Sequence, residues 1–283
     1  PAWFVVRGER VEAAENVLIT SVLGRVMRAY GPAVTPLVTF LDADMTALFP
    51  EGELENEHAA ELLAAHVAYT CTSAPWCAGL VIDVHVAAER LRRRQHLNTA
   101  PFIKTLSRTL RSPSRAHSLI ILVPPYADTF ERTDLEEILD SVDGVVVQTH
   151  GFSSLKRPGP DAPLPWMQHA LTGLVGDSMQ AGEKMFASVR FSGFDFTMPK
   201  GGTRICNRTV YLDLLRDHTP RLDWYQEAAE HVFAYDDDKN VSHSVYYPTL
   251  RSIADRLNAI RAWGAGVAVE DMHCGLDFFF DLL

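Results

Sequence analysis

The run Gly79-Leu80-Val81-Ile82-Asp83-Val84-His85 decides the fold of this chain. It is apolar on both faces, which is typical of a parallel strand covered by helices. Because side chains alternate along a strand, Asp83 and His85 share one face at its C-terminal end. Two interpretations follow: His85 is a structural histidine partnered by Asp83, or the two residues belong to a functional site.

Six other β-rich runs alternate with helical patterns along the chain. This order predicts a parallel sheet with right-handed crossovers, either a doubly wound sheet or a (β/α)8 barrel. An eight-stranded barrel would need its first strand upstream of Pro1. The predicted strands are Ala2–Val6, Val34–Phe40, Gly79–His85, Leu119–Val123, Gly144–Thr149, Phe186–Phe191 and Gly266–Glu270.

The interval between the last two predicted strands is too long for a single helix. It holds two aromatic-rich runs, Glu230–Tyr235 and His243–Tyr247, on either side of a polar turn. Such a pair predicts a small β-hairpin inserted before the last strand.

Composition limits the class of protein. The chain has 283 residues, 47% of them hydrophobic and 22% charged, which suits one large α/β domain. A net charge of -10 without a basic stripe argues against nucleic acid as a partner. No apolar stretch approaches the roughly 20 residues that span a bilayer. No cofactor is predicted.

Cysteines and glycosylation motifs favour an oxidising compartment. Cys71 and Cys77 are close enough in sequence to close a small loop before the central strand. Asn207 and Asn240 each begin an N-glycosylation tripeptide. These features modestly favour a protein that enters the secretory pathway.

The C-terminal run Gly266–Leu283 resembles the ending of the chitinase-domain-containing, stabilin-interacting chitinase-like proteins, a branch of the family 18 glycoside hydrolases. The resemblance implies a single (β/α)8 barrel domain over residues 1–283, beginning at its second strand and carrying an insertion at roughly 194–248. It also implies a secreted, lysosomal or ER/Golgi lumenal location. Other matching stretches are Pro1–Trp3, Val123–Pro125, Pro158–Trp166, Phe191–Phe196 and Tyr247–Leu250.

Measured against this family, the motif positions are degenerate. Active members end their fourth strand with Asp-Gly-x-Asp-x-Asp-x-Glu, and here His85 stands in the place of the acid. Their Met-x-Tyr-Asp element corresponds to Gln148-Thr149-His150-Gly151, and Glu270 replaces the tryptophan of the eighth strand. The resemblance therefore predicts that the chain is not an enzyme. The degenerate positions are Asp83, His85, Gln148, His150 and Glu270.

The predicted function is a pseudoenzyme that binds chitooligosaccharides or other glycans at the barrel mouth. Each aromatic candidate has core packing as its alternative role, and Arg190 has an ion pair with Asp83 or Glu270 as its alternative. The predicted binding residues are Trp3, Asp83, His85, Gln148, Arg190 and Glu270, with Trp224, Tyr246 and Tyr247 as further aromatic candidates.

Two other classes of function stay open. His85, His150 and Glu270 fall at the ends of converging strands and are ligand types that suit zinc or another first-row metal. The barrel could instead be a non-catalytic scaffold for a protein partner or receptor.

Overall fold

The structure is a computed structural model, in which the chain forms two compact units, Pro1–Val146 and Val147–Leu283. Among the described residues, no helix has both the length and the apolar composition to cross a membrane. The structure describes residues 4–7, 10–13, 37–42, 54–73, 77–83, 100–112, 115–125, 132–154, 157–175, 183–199 and 202–283.

The first unit is built on a parallel sheet. Strands β1, β3, β4 and β7 are paired in parallel in that order, and β2 pairs antiparallel with β1. Its strands are β1 (Phe4–Arg7), β2 (Arg10–Ala13), β3 (Leu37–Asp42), β4 (Gly79–Asp83), β5 (Arg111–Ser112), β6 (Arg115–Ala116), β7 (Ser118–Val123) and β8 (Gly144–Val147), the last ending at the boundary. Its helices are α1 (Leu54–Thr72), α2 (Ala100–Leu110), α3 (Arg132–Ile138) and the 3-10 turn Leu139–Ser141.

Strand β4 is buried as its sequence predicts. Leu80 and Ile82 are fully buried, while Asp83 on the other face is half-buried. Gly79 is required by close packing, because a Cβ added there would lie 2.1 Å from the carbonyl oxygen of Ser118 on β7. Parallel pairing of β4 with β7 therefore depends on glycine at this position.

The predicted small loop before β4 is closed by a disulfide between Cys71 and Cys77. It joins the last turn of α1 to the residues that lead into β4. The bond covalently fixes the approach of the helix to the strand.

The second unit combines a parallel strand pair with an antiparallel sheet. Strand β15 pairs in parallel with β9, and five further strands form a sheet in the order β11-β10-β14-β13-β12. The strands are β9 (Met185–Arg190), β10 (Gly193–Thr197), β11 (Thr203–Cys206), β12 (Asp223–Tyr225), β13 (Glu230–Asp236), β14 (Ser242–Tyr246) and β15 (Gly266–Glu270). The helices are α4 (Leu164–Val175), α5 (Arg208–His218), α6 (Leu250–Ala262) and the 3-10 segments Met272–Cys274 and Asp277–Leu282.

The predicted inserted hairpin is confirmed, but it is part of a larger sheet. Strands β13 and β14 pair antiparallel, with Phe233 opposite Val245, and β10 adds to the free side of β14. Gly193 permits that addition, since a Cβ there would lie 2.1 Å from the carbonyl oxygen of Tyr246. Sequence patterns missed β10, β11 and β12 because these strands are short and partly polar.

The two glycosylation motifs lie in different settings. Asn207 caps helix α5, where its side-chain oxygen accepts a hydrogen bond from the backbone N–H of Val210 at 3.0 Å. Asn240 is exposed in the turn between β13 and β14 and has a left-handed backbone with φ 57°. The cap uses the oxygen of Asn207, which ties this side chain to the start of the helix.

Candidate functional site

The strands β9 and β15 end side by side in the second unit, and their last residues carry opposite charges. Arg190 is directly paired with Glu270 in the parallel register. The carboxyl ends of parallel strands are where α/β folds place their ligands. This edge of the second unit is therefore the candidate site.

Arg190 is surrounded by three carboxylates. Its Nη1 lies 3.1 Å from Asp161 Oδ2, its Nη2 lies 3.9 Å from Glu270 Oε2, and its Nε lies 3.6 Å from Asp271 Oδ2. His150 completes the group, with Nε2 2.7 Å from Glu270 Oε2. These five residues are called the strand-end cluster.

The cluster is negatively charged. It contains the carboxylates of Asp161, Glu270 and Asp271, against the single fixed cation of Arg190. Even a protonated His150 would leave one negative charge in excess. Arg190 is 20% exposed and Asp161 is 10% exposed, so these charges are poorly screened by solvent.

Glu270 is held in its charged form by its neighbours. Burial acts to raise the pKa of Glu270, but the hydrogen bond from His150 and the charges of His150 and Arg190 outweigh burial and keep the pKa below its ordinary value. The hydrogen bond to the carboxylate places the proton on Nε2 of His150. Glu270 is therefore an acceptor and a stabiliser of positive charge at neutral pH.

Two polar atoms, one directly after β8 and one at the end of β9, are buried without a hydrogen bond among the described residues. They are Oε1 of Gln148 and Nε of Arg190. Gln148 is 8% exposed and precedes His150 by two residues, the spacing that puts side chains on one face of an extended segment. An unmade buried hydrogen bond costs about 1–3 kcal/mol, which a polar ligand would recover.

The loop after His150 holds Asp161 in position. The backbone N–H of Gly151 donates to Asp161 Oδ1 at 3.0 Å, and the N–H of Phe152 donates to the Asp161 carbonyl at 2.9 Å. Sequence reasoning did not select Asp161. It lies inside the proline-rich stretch Pro158–Trp166, and nothing in the local sequence indicates its pairing with Arg190.

Asp83, Trp3 and His85 are not among the five residues of the strand-end cluster. Asp83 ends β4 in the first unit, whereas the strand-end cluster is built from the second unit alone. Trp3 and His85 lie outside the described residues. Two of the three residues proposed as metal ligands, His150 and Glu270, are in contact. The described part of the chain, however, holds no group of three His, Cys, Asp or Glu residues arranged for a metal.

The predicted aromatic candidates have identified packing partners. Trp224 lies under the guanidinium of Arg251 at 3.8 Å, and Tyr247 is buried and stacked on Tyr211 at 4.1 Å. Tyr246 is half-buried, with an edge contact to Phe196. Of the three, Tyr246 is the one that lines a cavity beside the cluster without being fully buried.

A buried ion pair lines the same small cavity as two residues of the strand-end cluster. Arg256 Nη2 is 2.5 Å from Glu230 Oε1, and the side chains are 6% and 10% exposed. Arg256 also donates to the carbonyl oxygens of Ala162 and Ala229. A cavity of about 20 Å³, roughly the size of one water, is lined by this pair together with Asp161 and Arg190.

Burial raises the pKa of Glu230 to about 7 against the attraction of Arg256, and the charge of Asp161 adds to the rise. Between about pH 4.5 and pH 7 the folded state then holds a proton that the unfolded chain has lost. We expect the stabilisation of the folded state by the Glu230 carboxyl group to be complete below about pH 4.5 and to disappear as the pH rises through about 7.

Urea unfolding of the wild type and of Glu230→Gln from pH 4.5 to 7.5 measures this effect. The variant should show a flatter dependence of unfolding free energy on pH, while Glu61→Gln, an exposed position on α1, should follow the wild type. Equal slopes in the wild type and Glu230→Gln would contradict the assignment.

No protein-family model matches the chain. Among solved structures, a chitinase from Chromobacterium violaceum matches with a TM-score of 0.76 and 17% identity over 100% of this chain and 88% of that one. The spore cortex-lytic enzyme SleL of Bacillus cereus matches with a TM-score of 0.74 and 16% identity over 99% of this chain and 65% of that one.

A third structure, a glycoside hydrolase family 18 N-acetylglucosaminidase from Paenibacillus barengoltzii, matches with a TM-score of 0.65 and 15% identity over 100% of this chain and 90% of that one. At such identities the likeness shows the fold. The fold of this chain is therefore the α/β fold of the chitinase-like (β/α)8 barrels, as the sequence predicted.

The prediction that the chain is not an enzyme is contradicted. The structures that share its fold are named chitinases, a cortex-lytic enzyme and an N-acetylglucosaminidase, all of which are enzymes. The prediction assumed that acids must occupy the family's motif positions. Here Glu270, at one of those positions, and Asp161 and Asp271, outside them, converge on Arg190.

Proposed function

We propose that this chain is a chitinase-like protein that binds a saccharide at the strand ends that carry Gln148 and the strand-end cluster. The observation that carries the proposal is the pair of buried polar atoms, Gln148 Oε1 and Arg190 Nε, that lack hydrogen-bond partners among the described residues. Both atoms are closed to solvent in this structure, so a saccharide hydroxyl reaches them only after a local shift of side chains. It would then donate to the first and accept from the second. Each contact would replace an unsatisfied group with a hydrogen bond.

The chemistry of the cluster supports a polyhydroxyl ligand. Its side chains are held in place by one another, so acceptors and donors are fixed before a ligand arrives. Ser192 Oγ, for example, donates to Asp271 Oδ2 at 2.6 Å and orients that carboxylate. The names of the structural neighbours supply the sugar class, because chitinases and an N-acetylglucosaminidase act on N-acetylglucosamine-containing chains.

The charge of the cluster supports a choice among saccharides. Three carboxylates outnumber the fixed cation, so a uronic acid would be repelled and a neutral or amino sugar accepted. We therefore propose neutral or cationic hexosamine oligosaccharides as ligands, with oligogalacturonate as the natural negative control.

Glycoside hydrolysis is a second candidate function, favoured by the carboxylates of the cluster. Hydrolysis by two carboxyl groups needs a charged group that stabilises the oxocarbenium-like centre and a proton donor. Glu270, with its lowered pKa, suits the first role. His150, 2.7 Å from Glu270, presents an imidazole beside that carboxylate and is the candidate proton donor.

We further propose that the chain belongs to the stabilin-interacting branch, on the basis of the C-terminal run Gly266–Leu283, and that it is secretory or lysosomal, which the Cys71–Cys77 disulfide supports. We also propose a single barrel domain over residues 1–283 with an insertion at roughly 194–248, and a protein partner or receptor.

A thermal-shift panel tests the proposal. We expect chitooligosaccharides to raise the melting temperature of the wild type, because a ligand that binds only the folded state stabilises it. Gln148→Ala should abolish the shift, and Gln168→Ala, an exposed position on α4, should keep it. Oligogalacturonate should give no shift. A reducing-end assay on the same samples tests hydrolysis, with product release in the wild type and none in Glu270→Gln.

Equal shifts in the wild type and Gln148→Ala would rule out the strand-end cluster as the saccharide site. A shift with oligogalacturonate alone would rule out the proposed ligand class.

A further inference from the structure

Two ion pairs of the second unit line one small cavity. Arg256 pairs with Glu230 at 2.5 Å, and Arg190 pairs with Asp161 at 3.1 Å. All four side chains line the cavity, whose volume of about 20 Å³ is roughly that of a single water. Because so little space separates the two pairs, the charge of one acts on the other.

Glu230 is faced by titratable and charged side chains from several elements. Burial raises the pKa of Glu230 to about 7 against the attraction of Arg256, the charge of Asp161 adds to the rise, and hydrogen bonds from the backbone N–H groups of Ala162 and Asp161 favour the ionised form. Among the described residues, the groups that face Glu230 or line its cavity are Arg256 on α6, Asp161 in the loop after β8, Arg190 on β9, Tyr225 on β12, Tyr246 on β14 and Tyr247 directly after β14.

The ionised form of Glu230 is costly to the fold. With the pKa raised to about 7 by burial, the folded chain holds a buried carboxylate above that pH and loses the stabilisation that the protonated form gives. A buried acid whose ionisation costs stability and that lies beside a candidate site is typical of functional positions.

Protonation of Glu230 would leave Arg256 to compete for Asp161, the carboxylate that lines the same cavity. Both oxygens of Asp161 are in use, since Oδ2 lies 3.1 Å from Arg190 Nη1 and Oδ1 accepts from the backbone N–H of Gly151 at 3.0 Å. Attraction of Asp161 toward Arg256 would therefore loosen its hold on Arg190 and on the loop that begins at Gly151.

We propose that the Glu230–Arg256 pair positions Asp161, and that ionisation of Glu230 raises the affinity of the saccharide site. With Glu230 ionised, Arg256 is paired and Asp161 stays on Arg190. This inference rests on the proposed function and names a proton as the regulator of the same site. The site binds its saccharide more tightly on the alkaline side of the titration of Glu230 than on the acid side.

Affinity and stability then depend on pH in opposite directions. The stabilisation by the Glu230 carboxyl group disappears as the pH rises through about 7, whereas the affinity rises over the same range. Because the ligand favours the ionised form, binding releases a proton from Glu230 to solvent near pH 7. A residue with a purely structural role would release no proton when the saccharide binds.

Titration calorimetry of the wild type with chitotetraose at pH 5.5 and at pH 8 tests the coupling. We expect the Kd to be about fivefold lower at pH 8, which is the lower end of the usual coupling between two sites. Titrations at pH 7 in phosphate and in Tris should give different heats, because the buffer takes up the released proton and the two buffers differ in their heat of ionisation.

Three variants locate the effect. Glu230→Gln should lose the change of Kd with pH, and Glu227→Gln, an exposed position on the β12–β13 connection, should keep it. Asp161→Asn removes the carboxylate for which the two guanidinium groups compete, so it should bind more weakly and also lose the change. His150 is present in all of these proteins, so the difference between the wild type and Glu230→Gln isolates Glu230.

The outcomes separate this inference from the proposed function. A wild-type Kd that is the same at both pH values, or a change that persists in Glu230→Gln, would overturn the coupling and leave the proposed function standing. A change that is lost in Glu230→Gln but persists in Asp161→Asn would overturn the positioning of Asp161. Absence of binding to the folded wild type at both pH values would overturn the proposed function, and this inference with it.

Discussion

Arg256→Met should lower the free energy of unfolding by about 3–5 kcal/mol at pH 7.5, the usual cost of removing one partner of a buried ion pair. Arg256 is the shared donor for Glu230 and for the carbonyl oxygens of Ala162 and Ala229. Methionine fills much of the space of the arginine stem but donates no hydrogen bond. Without Arg256 the pKa of Glu230 would rise further and its side chain would take up a proton. The buried carbonyl oxygens of Ala162 and Ala229 would lose their shared donor.

Equilibrium unfolding of the protein in urea measures this loss of unfolding free energy. Arg261→Met on the same helix is the control, because Arg261 is exposed and donates a hydrogen bond to Asn258 one turn away. The loss in Arg256→Met should shrink toward pH 5, where Glu230 takes up a proton and no longer needs the cation. A loss within about 0.5 kcal/mol of the control would show that the pair does not stabilise the unit.

The second large effect is expected from Arg190→Met. The substitution leaves Asp161, Glu270 and Asp271 facing one another without the cation they share. Hydrogen bonds to charged groups contribute about 1.5–3 kcal/mol, and we expect the unfolding free energy at pH 7 to fall by about that amount. Saccharide binding should also be lost, since Arg190 is one of the two groups that the proposed ligand satisfies.

The pH dependence distinguishes this loss from a packing defect. The pKa of Glu270 is held below its ordinary value of 4.5, so its stabilisation is present above about pH 4.5 and is lost as the pH falls through the folded-state pKa. The difference between the wild type and Arg190→Met should therefore narrow below about pH 4.5. Arg216→Met, an exposed site on α5 with its own acidic neighbours, should show only a small change at any pH. If the loss of unfolding free energy in Arg190→Met were the same at every pH, the loss would be due to packing and not to charge.

The parallel strands could be predicted because burial imposes a pattern that a single sequence displays. Each of the predicted strands overlaps an observed strand, and Gly266–Glu270 agrees at both ends. The antiparallel insertion was harder to predict. Strand β12 is largely exposed, with only Trp224 half-buried, so no apolar periodicity marks it.

The site was only partly predictable, for a physical reason. His150, Arg190 and Glu270 stand at the ends of strands, where the parallel order alone brings side chains together. Asp161 and the Glu230–Arg256 pair are instead set by loop geometry and by contacts between residues distant in sequence. Neither kind of contact leaves a local pattern in the chain.

Inference from motif positions gave the wrong conclusion about enzyme activity. The comparison of His85, His150 and Glu270 with the family's catalytic positions treated each replacement as a loss. In the structure two of the replaced positions contact each other, with His150 Nε2 2.7 Å from Glu270 Oε2. A site is defined by the side chains that converge in space. Here the strand-end cluster contains residues, such as Asp161 and Asp271, that the family's motif positions do not include.

The central claim is that the strand-end cluster binds a saccharide, and calorimetric titration of chitotetraose into the purified wild-type protein tests it most directly. We predict heat of binding that saturates at one ligand per chain and disappears in Gln148→Ala, while Gln168→Ala titrates as the wild type. Absence of saturable heat from the folded wild type, or an unchanged titration in Gln148→Ala, would contradict the account.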